Sequence, residues 1–259
     1  MPDAGLFSNV DTIIPKTLCL FSGGKDSAMA LLHEIDSGKK CIALIAECNS
    51  HAQLSDGPEV DVEMVKAIAE KIFHVETITC NTTDENYKDE LVETIDNLIL
   101  NNKINRIVTG DLNHPDGIIH YLKNIFKERN RDVSFFSIGE KYIDSKGFMT
   151  QKYLDDVITS LSLKIVGIRL PDFANVENMF LGRDFDRNKI NELTSRNIDP
   201  LGEDGEYQSL TLSHRKSNRE IIINDSEIRV QKGRDTKNYT YMMQEIKSWE
   251  ILTTEYDNF

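Results

Sequence analysis

The chain has 259 residues, a formal net charge of -13, 39% hydrophobic and 28% charged residues, and no low-complexity run. That length allows one large domain or two smaller ones around a sizeable core, and no apolar stretch approaches the roughly 20 residues needed to cross a bilayer. The acidic balance repels phosphate backbones, so a nucleic acid is not expected as the main partner.

The N-terminal segment MPDAGLFSNVDTIIPK has no basic stretch followed by an apolar run. It therefore reads as a short extension ahead of the first strand, not as a signal peptide. Four cysteines, Cys19, Cys41, Cys48 and Cys80, contain no CxxC pair. They are expected to be buried small hydrophobes in a reducing compartment, which points to the cytoplasm.

The first half alternates strand and helix signals. Thr17–Phe21 is a short apolar run, and Ser27–Ser37 follows as a helical pattern closed by Gly38. Cys41–Glu47 is a second strand. Val60–Phe73 has apolar residues at Met64, Val65, Ile68, Ala69 and Ile72, which is helical spacing. A third strand is predicted at Val75–Thr79, a helix at Tyr87–Leu100 and a fourth strand at Ile104–Thr109. Gly117–Arg129 then reads as a helix and Val133–Ser137 as a fifth strand. This order implies βαβ units and a parallel sheet with helices on both faces. Ligands of such sheets sit beyond the carboxyl ends of the strands, where Ser22–Ser27 and Gly110-Asp111-Leu112 would fall.

After about residue 140 the pattern changes. Leu154–Leu161 is predicted as a helix, Lys164–Leu170 as a strand, and Asp186–Arg196 as a helix with Asp186 as N-cap. Leu201–Thr211 reads as a loop and strand. Glu220–Asn224 and Glu227–Gln231 read as a hairpin turning at Asp225-Ser226. The expected division is 1–140 for the nucleotide-binding domain and 141–259 for a smaller C-terminal α+β domain.

The segment Ser22-Gly23-Gly24-Lys25-Asp26-Ser27 places a glycine turn between the first strand and the first helix. Glycines let the backbone approach phosphates, and amides at a helix N-terminus point at them. Lys25 adds a mobile positive charge, and Ser22 and Ser27 can donate hydroxyl hydrogen bonds. Asp26 would repel a bare phosphate, so its natural role is through Mg²⁺. The segment fits neither G-x-x-x-x-G-K-[ST] nor G-x-G-x-x-G. The plainer alternative is a glycine turn with Asp26 or Ser27 as helix cap.

SGGKDS after a first strand resembles the PP-loop of the adenine-nucleotide α-hydrolase-like superfamily. The resemblance implies a Rossmann-like fold and attack at the α-phosphate of ATP with loss of pyrophosphate. It assigns ATP to Ser22, Gly23, Gly24, Lys25, Asp26, Ser27, Gly110 and Asp111.

A second cluster consists of Leu181-Gly182-Arg183 and, after a helix, Asp199-Pro200-Leu201-Gly202-Glu203-Asp204-Gly205-Glu206-Tyr207. By composition this turn suits a cation, an amine, or plain solvent. The two stretches in this order, with Val108–Leu112, are similar to the diphthine–ammonia ligase family and its bacterial relatives. In that family the loop helps build the acceptor site. The resemblance implies an ATP-dependent amide ligase in which a carboxylate is adenylated and then captured by ammonia or an amine. Diphthine on elongation factor two is the implied acceptor. Lys25 would steady the leaving pyrophosphate, Asp26 would be a Mg²⁺ ligand, and Glu203 and Glu206 would position ammonia or take its proton. Gly202, Glu203, Gly205, Glu206 and Tyr207 would form the acceptor side. The segments Asn49–Asp56, Pro58–Val62 and Asn113–Gly117 depart from the family pattern, which keeps a small-molecule carboxylate as a competing acceptor.

Other residues carry less. His33 is expected on a helix, at the surface or in the core and not in catalysis, and His114 beside Asp116 is a candidate for the substrate site. Cys48 and His51 have C-x-x-H spacing without a second pair, so zinc is not expected. Lys123–Arg131 reads as a solvated helix face. Tyr239, Tyr241 and Trp249 suggest burial or self-association, which allows a homodimer. Two alternatives remain: a tRNA-modifying enzyme of the same superfamily, and an adenine-nucleotide sensor without turnover.

Overall fold

The structure is a computed structural model, and it describes residues 15–48, 51–52, 60–83, 86–101, 103–112, 117–145, 149, 151–232 and 239–253. In chain order the first part runs β1 (Lys16–Leu20), α1 (Lys25–Asp36), β2 (Cys41–Cys48), β3 (His51–Ala52), β4 (Val60–Asp61), α2 (Val62–Ala67), β5 (Glu76–Asn81), α3 (Tyr87–Leu100), β6 (Ile104–Thr109), α4 (Ile118–Glu128) and β7 (Ser134–Ser137). The second runs α5 (Gln151–Ser160), β8 (Leu161–Arg169), α6 (Glu177–Phe180), α7 (Arg187–Ser195), β9 (Tyr207–His214), β10 (Arg219–Lys232) and β11 (Thr240–Thr253).

Five strands of the first part are parallel, in the order β5-β2-β1-β6-β7. β3 and β4 add a short antiparallel extension at the end of β2. Strand alternation sends β1 side chains to opposite faces. Cys19 and Phe21 join α1 and α2 in one core cluster, and Leu18 and Leu20 join α3 and α4 in the other. This is the predicted α/β architecture, a Rossmann-like sheet with helices on both faces. The order reverses between β1 and β6, so a crevice opens beyond their carboxyl ends.

The second sheet is antiparallel, ordered β10-β11-β8-β9. Its apolar residues, including Ile165, Leu210 and Tyr207, belong to the same cluster as α1 and α2. β9 therefore lies against the α1 face of the first sheet. The two sheets share a core at the place where the glycine turn emerges.

Asp186 caps α7 as predicted, accepting from the Lys189 amide at 2.9 Å. α2 is shorter than its apolar spacing suggests, because Ile68–Ile72 widens into a π-helical turn. α1 begins two residues early, at Lys25, with Gly24 as its N-cap and no side-chain cap. The predicted hairpin at Asp225-Ser226 does not form. Glu220–Gln231 is one continuous strand, β10, pairing with β11 across a bulge at Ile223–Ser226. The Asp-Ser pair lacks the glycine that a two-residue turn favours, and a bulge absorbs the break in alternation. Lys123–Arg131 is not merely a solvated face, since Arg129 and Arg131 both clamp the buried Asp96 of α3. Cys19, Cys41 and Cys80 are buried free thiols. The side chains of Cys48 and His51, together with His114 and the segments 49–50, 53–59 and 113–116, lie outside the described residues. No described helix is long and apolar enough to cross a membrane.

Gly110 follows β6 where α1 passes over it. A Cβ there would stand 2.6 Å from the Ser27 nitrogen and 2.7 Å from the Asp26 carbonyl carbon. Both are backbone atoms and cannot turn aside. Gly110→Ala should therefore destabilise the fold by about 1–3 kcal/mol in urea unfolding. Wild-type stability in the variant would mean that α1 is free to slide off β6.

Candidate functional site at the reversal of strand order

The turn after β1 is held by its own hydroxyls. The Ser22 amide donates to Ser27 Oγ at 3.2 Å, the two hydroxyls lie 3.2 Å apart, and Ser27 Oγ donates to the Gly24 carbonyl at 3.1 Å. Gly23 has φ +80, a left-handed conformation that side chains rarely adopt. Its carbonyl accepts from the Thr211 amide at 2.8 Å, and the Lys25 amide donates to Ser209 Oγ at 3.1 Å. β9 thus braces the turn from below.

Lys25 is only 4% exposed. Its ammonium donates to Asp26 Oδ2 at 2.8 Å and sits 5.5 Å from the centre of the Tyr207 ring, within cation–π range. The sequence suggested a mobile charge, but here Lys25 is folded back onto its neighbour. A buried ammonium needs a carboxylate beside it, because loss of hydration is costly when the charge stays unpaired. The other oxygen of Asp26 accepts from the hydroxyl of Tyr153, which is fully buried. Burial and the Asp26 charge push the Tyr153 phenol well above its ordinary range.

The Asp199–Tyr207 loop is a tight turn. Asp199 Oδ1 accepts from the Leu201 amide at 3.0 Å, and Gly202 donates to the Asp199 carbonyl at 3.1 Å. The Tyr207 hydroxyl reaches back to the Pro200 carbonyl at 2.7 Å. Gly202 has φ +70, and a Cβ on it would meet the Tyr207 ring at 2.9 Å. Tyr207 is the post around which the loop folds, stacked on Phe185 at 5.5 Å.

Two carboxyls of this loop are tuned in different ways. Glu203 is exposed as a residue, although protein crowds its carboxyl. Burial first, then the charges of Asp26, Asp199 and Asp111, push its carboxyl up to about 8, against the opposing pull of Lys25. Its open side screens part of that shift. Glu206 is buried, and its Oε2 has no hydrogen-bond partner among the described residues. Burial raises its carboxyl as well. The nearest cation is Arg169, 4.0 Å away and already engaged with Asp172 and the Asp204 carbonyl. Asp111 is raised chiefly by burial, and one of its oxygens accepts from the Ile119 amide at 2.9 Å.

Ser22, Gly23, Gly24, Lys25, Asp26, Ser27, Gly110 and Asp111 thus gather at one end of β1 and β6. Glu203 and Tyr207 approach them from the second sheet. Glu206 is turned toward Arg169 and lies further from the turn, and Gly205 supports the loop at φ +74. Leu181-Gly182-Arg183 is a bracket beside β8: the Gly182 amide donates to the Ile165 carbonyl, and the Ile165 amide to the Arg183 carbonyl, each at 2.8 Å. Sequence reading missed Tyr153 and Ser209, which carry no motif. Ser209 follows Tyr207 by two residues and faces the turn only because β9 pairs with β8. His33 stacks on Phe136 at 5.1 Å, away from the site.

Residues 15–128 match the family described as the diphthamide synthase N-terminal domain. No curated protein matches the chain. A similar solved structure is one titled the crystal structure of a predicted subunit of tRNA methyltransferase from Methanocaldococcus jannaschii DSM. It is 12% identical with a TM-score of 0.42, and the likeness covers 79% of this chain and 100% of that one. Over residues 15–128 the chain is thus similar to the diphthamide synthase N-terminal domain, and the glycine turn and the reversal of strand order both lie inside that region.

Proposed function

We propose that the protein is an ATP-dependent amide ligase that adenylates a carboxylate and transfers ammonia or an amine to it. The acceptor is diphthine on an elongation factor or a small-molecule carboxylate. The observation that carries this reading is the convergence of the Gly202–Tyr207 loop on the nucleotide turn. Tyr207 lies against Lys25, and the Glu203 carboxyl feels the charges of both Lys25 and Asp26. In this reading residues 1–140 hold the nucleotide and 141–259 supply the acceptor side.

The acceptor carboxylate attacks the α-phosphorus, the bond to the β-phosphate oxygen breaks, and pyrophosphate leaves with that electron pair. The turn amides and Lys25 stabilise the charge that gathers on the leaving group. Ammonia then attacks the acyl carbon and AMP departs. One proton must leave the nitrogen, and a carboxyl that titrates near neutral pH is suited to take it. Glu203 is that group. Glu206, buried and paired loosely with Arg169, positions the loop or the incoming nitrogen.

Among the described residues, no cluster of three or more His, Cys, Asp or Glu side chains forms a cage for a cation. Mg²⁺ is commonly held by one or two carboxylates plus the phosphates of its substrate. The hard oxygens of Asp26, whose side chain is 31% exposed, fit that arrangement. Bound there with the nucleotide, Mg²⁺ would supply positive charge across the phosphates.

With ATP labelled at the α-phosphate, ammonium and the correct acceptor, AMP and pyrophosphate should form together. Lys25→Ala should slow their formation roughly 10²–10³-fold. ADP as product, or tight ATP binding without cleavage under any acceptor, would contradict the ligase and leave a nucleotide sensor. Glu203 also makes a prediction about stability. Its folded carboxyl is raised, so the folded state holds a proton that the unfolded state releases between about pH 4.5 and pH 8. Stability should therefore fall as pH rises through that window. Glu203→Gln should remove the fall, matching wild type at the acid end and exceeding it near pH 8 in thermal melts. Parallel pH profiles for the two proteins would show that Glu203 is not shifted.

A further inference from the structure

We propose that Tyr153 is a positioning residue for the nucleotide site, its phenol holding one oxygen of Asp26 so that only the other faces Lys25 and the nucleotide's cation. The proposal rests on the reading of Asp26 as the carboxylate that meets that cation. Tyr153 enters from α5, 127 residues along the chain from Asp26. It is completely buried, with its ring edge against Tyr142 at 5.0 Å and 64°. Tyr142 sends its own hydroxyl elsewhere, to Asp156 Oδ2 at 2.9 Å. The two tyrosines, packed edge to face, therefore do different work, and of the two Tyr153 touches the site.

The chemistry of the contact leaves one arrangement. A buried phenol beside a carboxylate stays protonated, so Tyr153 donates and Asp26 Oδ1 accepts. Asp26 Oδ2 takes the Lys25 ammonium at 2.8 Å. With Oδ1 holding a donor that cannot leave the core, Oδ2 is the oxygen of Asp26 better placed to meet a cation. A cation drawn to Oδ2 would meet Lys25 there. A cation arriving with the nucleotide would weaken the hold of Asp26 on Lys25. Tyr153 in this way links occupancy of Asp26 to the freedom of Lys25.

The test uses the full chain, Mn²⁺ as the probe cation, and an ATP analogue that cannot be cleaved between the α- and β-phosphates. Outer-shell partners of a metal-binding carboxylate typically change metal affinity by 10–100-fold. Tyr153→Phe should weaken Mn²⁺ binding to the protein–analogue complex by roughly ten-fold, while affinity for the analogue in EDTA stays at the wild-type value. Tyr142→Phe should change neither. Unchanged Mn²⁺ affinity in Tyr153→Phe, or an equal loss in EDTA, would overturn the proposal. Wild type that binds the analogue but no Mn²⁺ would overturn the reading of Asp26 itself, which separates the two failures. If Tyr153→Phe does not fold, wild-type protein labelled with ¹³C at the tyrosine ζ carbon serves instead. One buried signal should move on Asp26→Asn substitution and on adding Mg²⁺ with the analogue, and a signal that ignores either change would overturn the assignment.

Discussion

The structure depends on a brace between two sheets of different kinds. The turn after β1 would be an isolated glycine loop if β9 did not lie beneath it. Thr211 donates to the Gly23 carbonyl and Ser209 accepts from the Lys25 amide. Two hydrogen bonds of this kind contribute only about 1–3 kcal/mol together. Their value is geometric, since they fix a left-handed turn against a strand whose first residue, Tyr207, closes over Lys25. The close passage of α1 over Gly110 clamps the opposite side. The glycine turn and the Gly202–Tyr207 loop are parts of one construction, although they lie far apart in sequence.

The charges at this junction follow from that construction. An ammonium, four carboxyls and two buried phenols share a small volume, and burial sets the direction of most shifts. Lys25 is paired with Asp26 at 2.8 Å. Glu203, facing other carboxylates across the cleft, is pushed toward neutrality. Carboxyls whose environments differ in this way are suited to different tasks, one holding charge and one exchanging a proton. Glu206 illustrates the cost of the loop: an oxygen left buried without a hydrogen-bond partner is unfavourable and persists where surrounding structure or a ligand compensates.

How much of this the sequence reveals depends on whether the information is local. The five parallel strands and their helices were legible because each is a short apolar run or a helical period bounded by turns. The glycine turn was legible because its residue types have few other uses in that order. The Gly202–Tyr207 loop was visible as a motif, though not its fold around the Tyr207 ring. Non-local contacts left no trace: Tyr153 reads as an ordinary aromatic on a helical face, and Ser209 as a strand residue. The Asp225-Ser226 bulge misled for the opposite reason, since a local break in alternation looks like a turn when the partner strand is unknown. Arg129 and Arg131 looked like solvated charges because Asp96, the side chain they hold, belongs to another helix.

The central claim is that nucleotide and acceptor loop meet in a single site. Hydrogen exchange measured with and without ATP and Mg²⁺ tests it directly. The account predicts that nucleotide slows exchange both in residues 21–27 and in the Gly202–Ser209 stretch of the other sheet. Protection confined to the first segment, with the second exchanging as in the free protein, would contradict a shared site.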